Sequence, residues 1–525
     1  MKIINPLTRN LFFLFFLTNL LSASAKEITY ANPVLPGDFP DPSIVRVGED
    51  FWATATSTEW APLFPILHSR DLVNWELVGH IFQKKPAWSS QNYWAPEISY
   101  YEGKFYVYYV GRKNEPDGRL HIACATAENP KGPWTDHGPL IGQEEGSIDP
   151  VTALDEKNER YLIWKNDGNS RDLPTIIYAQ KLSEDGTKLT GKMKELLRND
   201  APWEGKLIEG PFVLKRGEWF YLFYSGNGCC GRDCAYGLGV ARSKNLLGPY
   251  EKNPDNPILA GNEKWKCPGH GSIVHDAQGR DFLLYHAYAA TDFIYVGRQG
   301  LLDEVKWEAN NWPTINQKQG PSTEALSPFG KTKKIVGEFF DDFASTNLDL
   351  RWQWPHSWEP IVKIEKGKLL LTSPTERGDD LLGSILAVHS TSGNYAATTF
   401  LDGREIKPGA QAGLFAIGDK QNALGLTVGE GKASVVRRQK NKTEIVATID
   451  LQKTEKIYLR VTAKNGHLFQ FAIWADNRAW KNVGGDIDVE GNYLPPWDRG
   501  VRIALTVGGM ENAAAKFDWL RVVPQ

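Results

Sequence analysis

Apolar and polar positions alternate in short runs along roughly the first 320 residues, and the runs recur as a unit. Each copy opens on a Pro- or Gly-marked entry and an apolar strand. A polar turn, an aromatic-rich strand and a third strand follow. The openings read Asp41-Pro42-Ser43-Ile44-Val45, Ala95-Pro96-Glu97-Ile98-Ser99, Asp149-Pro150-Val151-Thr152-Ala153, Glu209-Gly210-Pro211-Phe212-Val213 and His270-Gly271-Ser272-Ile273-Val274. Aromatic strands such as Phe105-Tyr106-Val107-Tyr108 and Trp219-Phe220-Tyr221-Leu222 come next in each copy. Strand-forming residues broken by Gly and Pro argue against helical repeats. A period of roughly 50–60 residues built from short strands fits a four-stranded propeller blade. Five copies predict a five-bladed β-propeller, with residues 30 to 34 as a candidate closing strand.

The first strand of a blade lies beside the central channel, so equivalent positions of the repeat face the axis at one height. That position holds Asp41, Ala95, Asp149, Glu209 and His270. Asp before Pro is also a common turn former, which accounts for Asp41 and Asp149 but not for Glu209. Three carboxyl groups around a narrow channel suit glycosidic bond cleavage. One gives a proton to the leaving oxygen, and another activates water or attacks directly. A third beside the proton donor would raise its pKa by like-charge repulsion.

From about residue 325 to 337 the repeat gives way to a Ser-, Pro-, Gly- and Lys-rich linker. Alternating strands then resume, as in Lys368-Leu369-Leu370-Leu371-Thr372 and Ile457-Tyr458-Leu459-Arg460-Val461. The organisation read from the chain is a leader at 1–25, a propeller at 26–325 and a β-sandwich at 338–525. The leader has Lys2 and Arg9, an apolar run and a Ser22-Ala23-Ser24-Ala25 cleavage pattern. It predicts a secreted or periplasmic protein with no membrane span.

Composition adds three points. The chain carries 19 Trp and 19 Tyr, suited to sheet packing and to stacking on sugars. Its formal net charge of −3 is spread without a basic patch, which excludes nucleic acid and membrane surfaces as partners. Its five Cys leave at least one thiol unpaired within a single chain. A disulfide within the rim sequence Cys229-Cys230-Gly231-Arg232-Asp233-Cys234 is one expectation, with Cys229–Cys230 one option and Cys267 another partner for Cys234. The sequence does not select among these pairings. Cys124, in a strand, is expected to be a buried thiol.

The three acidic openings, with Ala55-Thr56-Ser57, Trp94-Ala95-Pro96 and Gly269-His270-Gly271-Ser272, resemble glycoside hydrolase family 43 across the whole propeller. The segment Glu338-Phe339-Phe340-Asp341-Asp342-Phe343 and the closing Phe517-Asp518-Trp519-Leu520-Arg521-Val522 resemble the concanavalin-like sandwich attached to many family β-xylosidases. The resemblance implies an inverting exo-hydrolase that releases α-L-arabinofuranose or β-D-xylose from plant cell-wall glycans. Asp41 is then the general base, Glu209 the general acid, and Asp149 the residue that tunes and orients Glu209. Inversion requires carboxyls about 6.5–9.5 Å apart. Arg298 matches a family arginine expected to hold Asp149 charged and bind a sugar hydroxyl. Trp60 and Trp94 match sugar-stacking positions on the rim, with core packing as the alternative. His270 matches an axial histidine that contacts substrate and in some relatives helps hold a hydrated metal. No cofactor is required by this reading, though calcium at the axis or in the sandwich is compatible with it. A retaining fructan-type propeller hydrolase lacks support, because Asp41 is not within an Asn-Asp-Pro-Asn entry. A carbohydrate-binding propeller without catalysis would not need the intact trio.

Overall fold

The computed structural model describes residues 27–525 apart from 115, 117, 334–337, 453–454 and 476–478. The expected leader and the end of the expected linker lie outside the described residues. Five four-stranded antiparallel sheets make up the N-terminal part. Their first strands are Ser43–Val47, Ser89–Tyr101, Ser147–Leu154, Ile208–Arg216 and Trp265–His275. Each first strand packs against the next, and the fifth packs against the first, closing a ring around an axis. The sheets wedge together through aromatic and aliphatic residues from neighbouring blades. One such core joins Phe64 and Ile66 of the first sheet to Val107 and Tyr109 of the second.

The N-terminal segment departs from expectation. Thr29–Ala31 pairs with Glu324–Leu326 in a separate two-stranded sheet. The outer place in the fifth sheet is already taken by Pro313–Ile315, which pairs with Gln299–Trp307. The segment is nevertheless tied to that sheet, because the Asn32 side chain donates to the Leu302 carbonyl and accepts from its N–H.

The C-terminal part is a sandwich of a nine-stranded and a six-stranded sheet. Alternate residues such as Leu414, Leu424, Leu459 and Phe517 fill the space between them. No helix among the described residues is long and apolar enough to cross a membrane.

Trp60 corrects a sequence expectation. It does not stand on the rim to stack on sugar but is 2% exposed. Trp60–Ala61 pairs with Trp354–Pro355 of the sandwich side. Its ring lies among Leu382, Ile385 and Phe415, with the Arg502 guanidinium 5.3 Å from the ring centre. Docking of the sandwich buries the indole and removes it from the solvent where a sugar could reach it.

Candidate active site

Four of the five aligned positions share a backbone feature and a register, whereas in the fourth sheet the equivalent residue is Gly210, so Glu209 lies one residue before the position the repeat assigned to it. Asp41, Ala95, Asp149 and His270 have φ of 51°, 38°, 56° and 44°, and Gly210, next to Glu209, has φ of 56°. In four of the sheets the pairing register of the first strand slips at this point. Bulges re-aim side chains that a regular strand would point elsewhere. Holding non-glycine residues there costs on the order of 1–3 kcal/mol each, a strain typical of functional positions. Gly210 has no freedom to change, since a Cβ would lie 2.9 Å from the His270 ring.

All three acids are buried, at 6–8% exposure. Asp41 is held on both oxygens. Its Oδ1 accepts from Arg298 Nη1 at 2.8 Å, and its Oδ2 accepts from the Thr56 hydroxyl at 2.7 Å. Its backbone N–H donates to His286 Nδ1 at 3.0 Å. That nitrogen also lies 3.3 Å from Oδ1, but it cannot accept one bond and donate the other. The shorter bond to the N–H, and the burial that pushes the ring's pKa down to about 4, make His286 a neutral acceptor. Burial alone would raise the Asp41 pKa. The Arg298 guanidinium and the nearby His270 ring outweigh it and hold Asp41 well below the usual carboxylate range.

Glu209 meets a different partner. Its Oε2 accepts from Lys165 Nζ at 2.9 Å, and Lys165 also reaches Asp167 at 3.2 Å. Burial would lower the Lys165 pKa, but the Glu209, Asp167 and Asp149 carboxylates raise it, so the amine is charged. Asp149 adjoins Glu209 through the backbone, its Oδ2 accepting the Gly210 N–H at 2.9 Å. Burial pushes the Asp149 pKa up to about 6. His270 opposes that rise, and the charge of Glu209 adds to it.

Arg298 therefore corrects a second expectation, because the guanidinium pairs with Asp41 rather than with Asp149. Arg298 projects from the connection preceding Gln299–Trp307, where the first blade meets the fifth, and Asp41 is the acid within its reach. Its remaining amino group donates to the Asp498 carbonyl of the sandwich at 3.1 Å. His270 places Nδ1 3.4 Å from Asp41 and 4.0 Å from Asp149. Among the described residues no group of three or more His, Cys, Asp or Glu is arranged to hold a metal. The axial histidine thus faces carboxylates already engaged by Arg298 and Gly210, a poor fit to a metal cage.

Trp94 is half-buried and meets Trp497 of the sandwich edge to face, with centroids 6.1 Å apart. Trp497 itself is 59% exposed. Beside it, Cys229 and Cys230 are joined to each other, and Cys234 is joined to Cys267. Arg232 of this loop donates to the Asn492 carbonyl, so the sandwich also grips the loop. Cys124 is buried with a free thiol whose pKa burial pushes up to about 12.

Lys165, His286 and Thr56 were not picked out as site residues by the repeat. Lys165 and His286 carry a signal: each directly follows the apolar run of a second strand, Tyr161-Leu162-Ile163-Trp164 and Phe282-Leu283-Leu284-Tyr285, where a polar residue is out of pattern. Asp149 yields a stability prediction. A carboxyl whose pKa is raised on folding loses stability as pH rises from about 4 to about 6. Asp149→Asn keeps the neutral form and tolerates positive φ. It is expected to gain on the order of 1–3 kcal/mol at pH 7 and little at pH 4, while activity falls. Thermal melts at the two pH values check this.

A model for glycosyl hydrolases family 43 matches residues 30–313. A model for the beta xylosidase C-terminal concanavalin A-like domain matches residues 340–523. The chain is 26% identical to a xylan 1,3-beta-xylosidase from a Vibrio species, covering 87% of this chain and 90% of the relative. It is 27% identical to a non-reducing end alpha-L-arabinofuranosidase from Bacteroides ovatus, covering 85% of each. The crystal structure of the GH43 BlXynB protein from Bacillus licheniformis superposes with a TM-score of 0.82 at 26% identity, over 95% of this chain and all of the other.

Proposed function

The chain belongs to glycosyl hydrolases family 43, and from that premise we propose that it removes single α-L-arabinofuranose or β-D-xylose units from non-reducing ends by inversion. It is a glycoside hydrolase, and the pentose specificity rests on its similarity to xylosidases and arabinofuranosidases. The observation that carries the reading is the division of labour among the three buried acids. Asp41 is held charged by Arg298, as a base requires. Asp149 grips the backbone beside Glu209 without meeting a cation of its own within hydrogen-bond distance among the described residues.

In the proposed reaction Glu209, a carboxylate beside Lys165 between turnovers, takes up a proton before each turnover and gives it to the glycosidic oxygen as the bond to the anomeric carbon breaks. Water attacks that carbon from the opposite face and passes a proton to Asp41. Lys165 then neighbours the carboxylate that Glu209 has become. Asp149 orients Glu209 through Gly210, and Trp94 offers a ring at the mouth. Export follows from the leader pattern and suits a chain with two disulfides. A panel of nitrophenyl glycosides tests the specificity. Turnover is expected on α-L-arabinofuranoside or β-D-xyloside and not on hexosides; hexoside preference would overturn it.

A further inference from the structure

We propose that the outer face of the nine-stranded sheet is a second glycan site, which takes a chain bearing uronic acid carboxylates. The site lies on the sandwich and is separate from the axial acids.

The strands there alternate strictly. In Tyr395–Asp402 and Lys456–Lys464 the inward residues are buried and the outward ones are partly exposed. Outward positions of a sheet with one wet face are ordinarily polar. Here Trp519, Phe400, Tyr458 and Trp474 stand in register on four adjacent strands. Ring centroids are 4.7 Å apart for Phe400 and Tyr458 and 4.8 Å for Tyr458 and Trp474. Neighbouring strands lie about 4.8 Å apart, so the row runs roughly 14 Å across the sheet. Cross-strand aromatic pairs stabilise sheets, and one pair would suffice for that. A row of four partly exposed rings, tilted 37° between Phe400 and Tyr458 and 83° between Tyr458 and Trp474, lines up ring faces and edges over a length that several sugar rings can span.

The next outward row supplies polar groups. Arg460 and Thr398 are paired positions there, and a shallow cavity of about 380 Å³ lies over them, bordered also by Thr462 and Arg521. The Arg460 guanidinium sits 3.7 Å from the centre of the Trp480 ring. No carboxylate pairs with it among the described residues, and burial alone pushes its pKa down. An arginine fixed on an aromatic face with its fork unsatisfied fits a carboxylate. Apolar rings beside it fit the flat face of a sugar. The two together match a uronic acid in a glycan chain better than a neutral chain. Arg521 is already paired with Glu338, but a second copy of this protein is a poor occupant, because a two-fold contact centred here would bring Arg460, unpaired among the described residues, near its own copy.

The test is affinity electrophoresis of the full chain in gels containing glucuronoxylan or the same polymer with its carboxyls reduced to alcohols. The account expects stronger retardation by the acidic polymer. Arg460→Gln should weaken binding to the acidic polymer about tenfold, to the level of the reduced one. Tyr458→Ala should weaken binding to both about tenfold. Both variants should hydrolyse aryl glycosides like the parent, which shows that they are folded. If Tyr458→Ala does not fold, Arg460→Gln carries the test alone. Equal retardation of parent and variants, or none, would overturn the proposal. So would a dimer in sedimentation that Tyr458→Ala dissociates. Binding is read without turnover, so failure of the proposed specificity leaves this result standing on its own.

Discussion

Glu209→Ala is expected to lower kcat/KM by about 10²–10⁴-fold on an unactivated pentose oligosaccharide, and far less on a dinitrophenyl glycoside. A sugar alkoxide leaves poorly and needs the proton that Glu209 supplies. A dinitrophenolate leaves without one, so its loss reflects only altered packing. The change should also leave Asp41 with Arg298 and Thr56 intact, since Glu209 touches neither. Its partner is Lys165, which would be left buried beside Asp167. Rates on a series of aryl glycosides of rising leaving-group pKa check this: the variant should show a steep dependence where the parent shows a shallow one. Equal losses across the series would remove Glu209 from the acid role.

Arg502→Met is expected to cost about 3–5 kcal/mol of stability, because it strips the cation from a buried pair. Asp38 and Arg502 meet at 2.9 Å with side chains 1% and 3% exposed. The carboxylate of Asp38 joins the two domains. Its Oδ1 accepts from the Arg298 N–H, and its Oδ2 accepts from both the Gly500 N–H and Arg502. Arg298 in turn bridges Asp41 and the Asp498 carbonyl. The sandwich therefore helps position the cation that keeps Asp41 charged. Asp41 titrates below its unfolded value, so the stability and base function it lends are present above the ordinary carboxylate range and lost only as pH falls through its lowered pKa. Loosening Arg298 removes the largest opposing influence and leaves burial to raise that pKa. The acid limb of kcat/KM should then move to higher pH in Arg502→Met. A lower melting temperature with an unmoved acid limb would reduce Arg502 to a structural role. Arg298→Gln, which acts on Asp41 directly, should move the limb further.

Much of this was legible in the chain because a propeller repeats its geometry. Each blade restores the same register, so Asp41 and Asp149 align from the repeat alone, while the proline after Gly210 matches those after Asp41 and Asp149 and sets Glu209 one residue ahead. The sheets follow the repeat, and the positive φ falls on Asp41, Ala95, Asp149, Gly210 and His270 rather than on Glu209. What was not legible depends on contacts between distant segments. Arg298 pairs with Asp41 and not with Asp149, which the sequence does not reveal because its reach depends on how the fifth blade meets the first. Trp60 sits in a rim connection by sequence, and only the docked sandwich buries it. Lys165 is invisible to a search for repeated acids, since it belongs to a second strand. The aromatic row on the sandwich shows in the sequence only as abundant Trp and Tyr, because its register needs four strands placed side by side.

The central claim is a single displacement in which Asp41 activates water opposite Glu209. Proton NMR of the first seconds of hydrolysis of an aryl pentoside measures it most directly, before mutarotation scrambles the product. The account predicts that the first sugar to appear has the anomeric configuration opposite to the substrate. First-formed sugar of the same configuration would mean a covalent intermediate, and Asp41 could not then be the base that activates water in a single step.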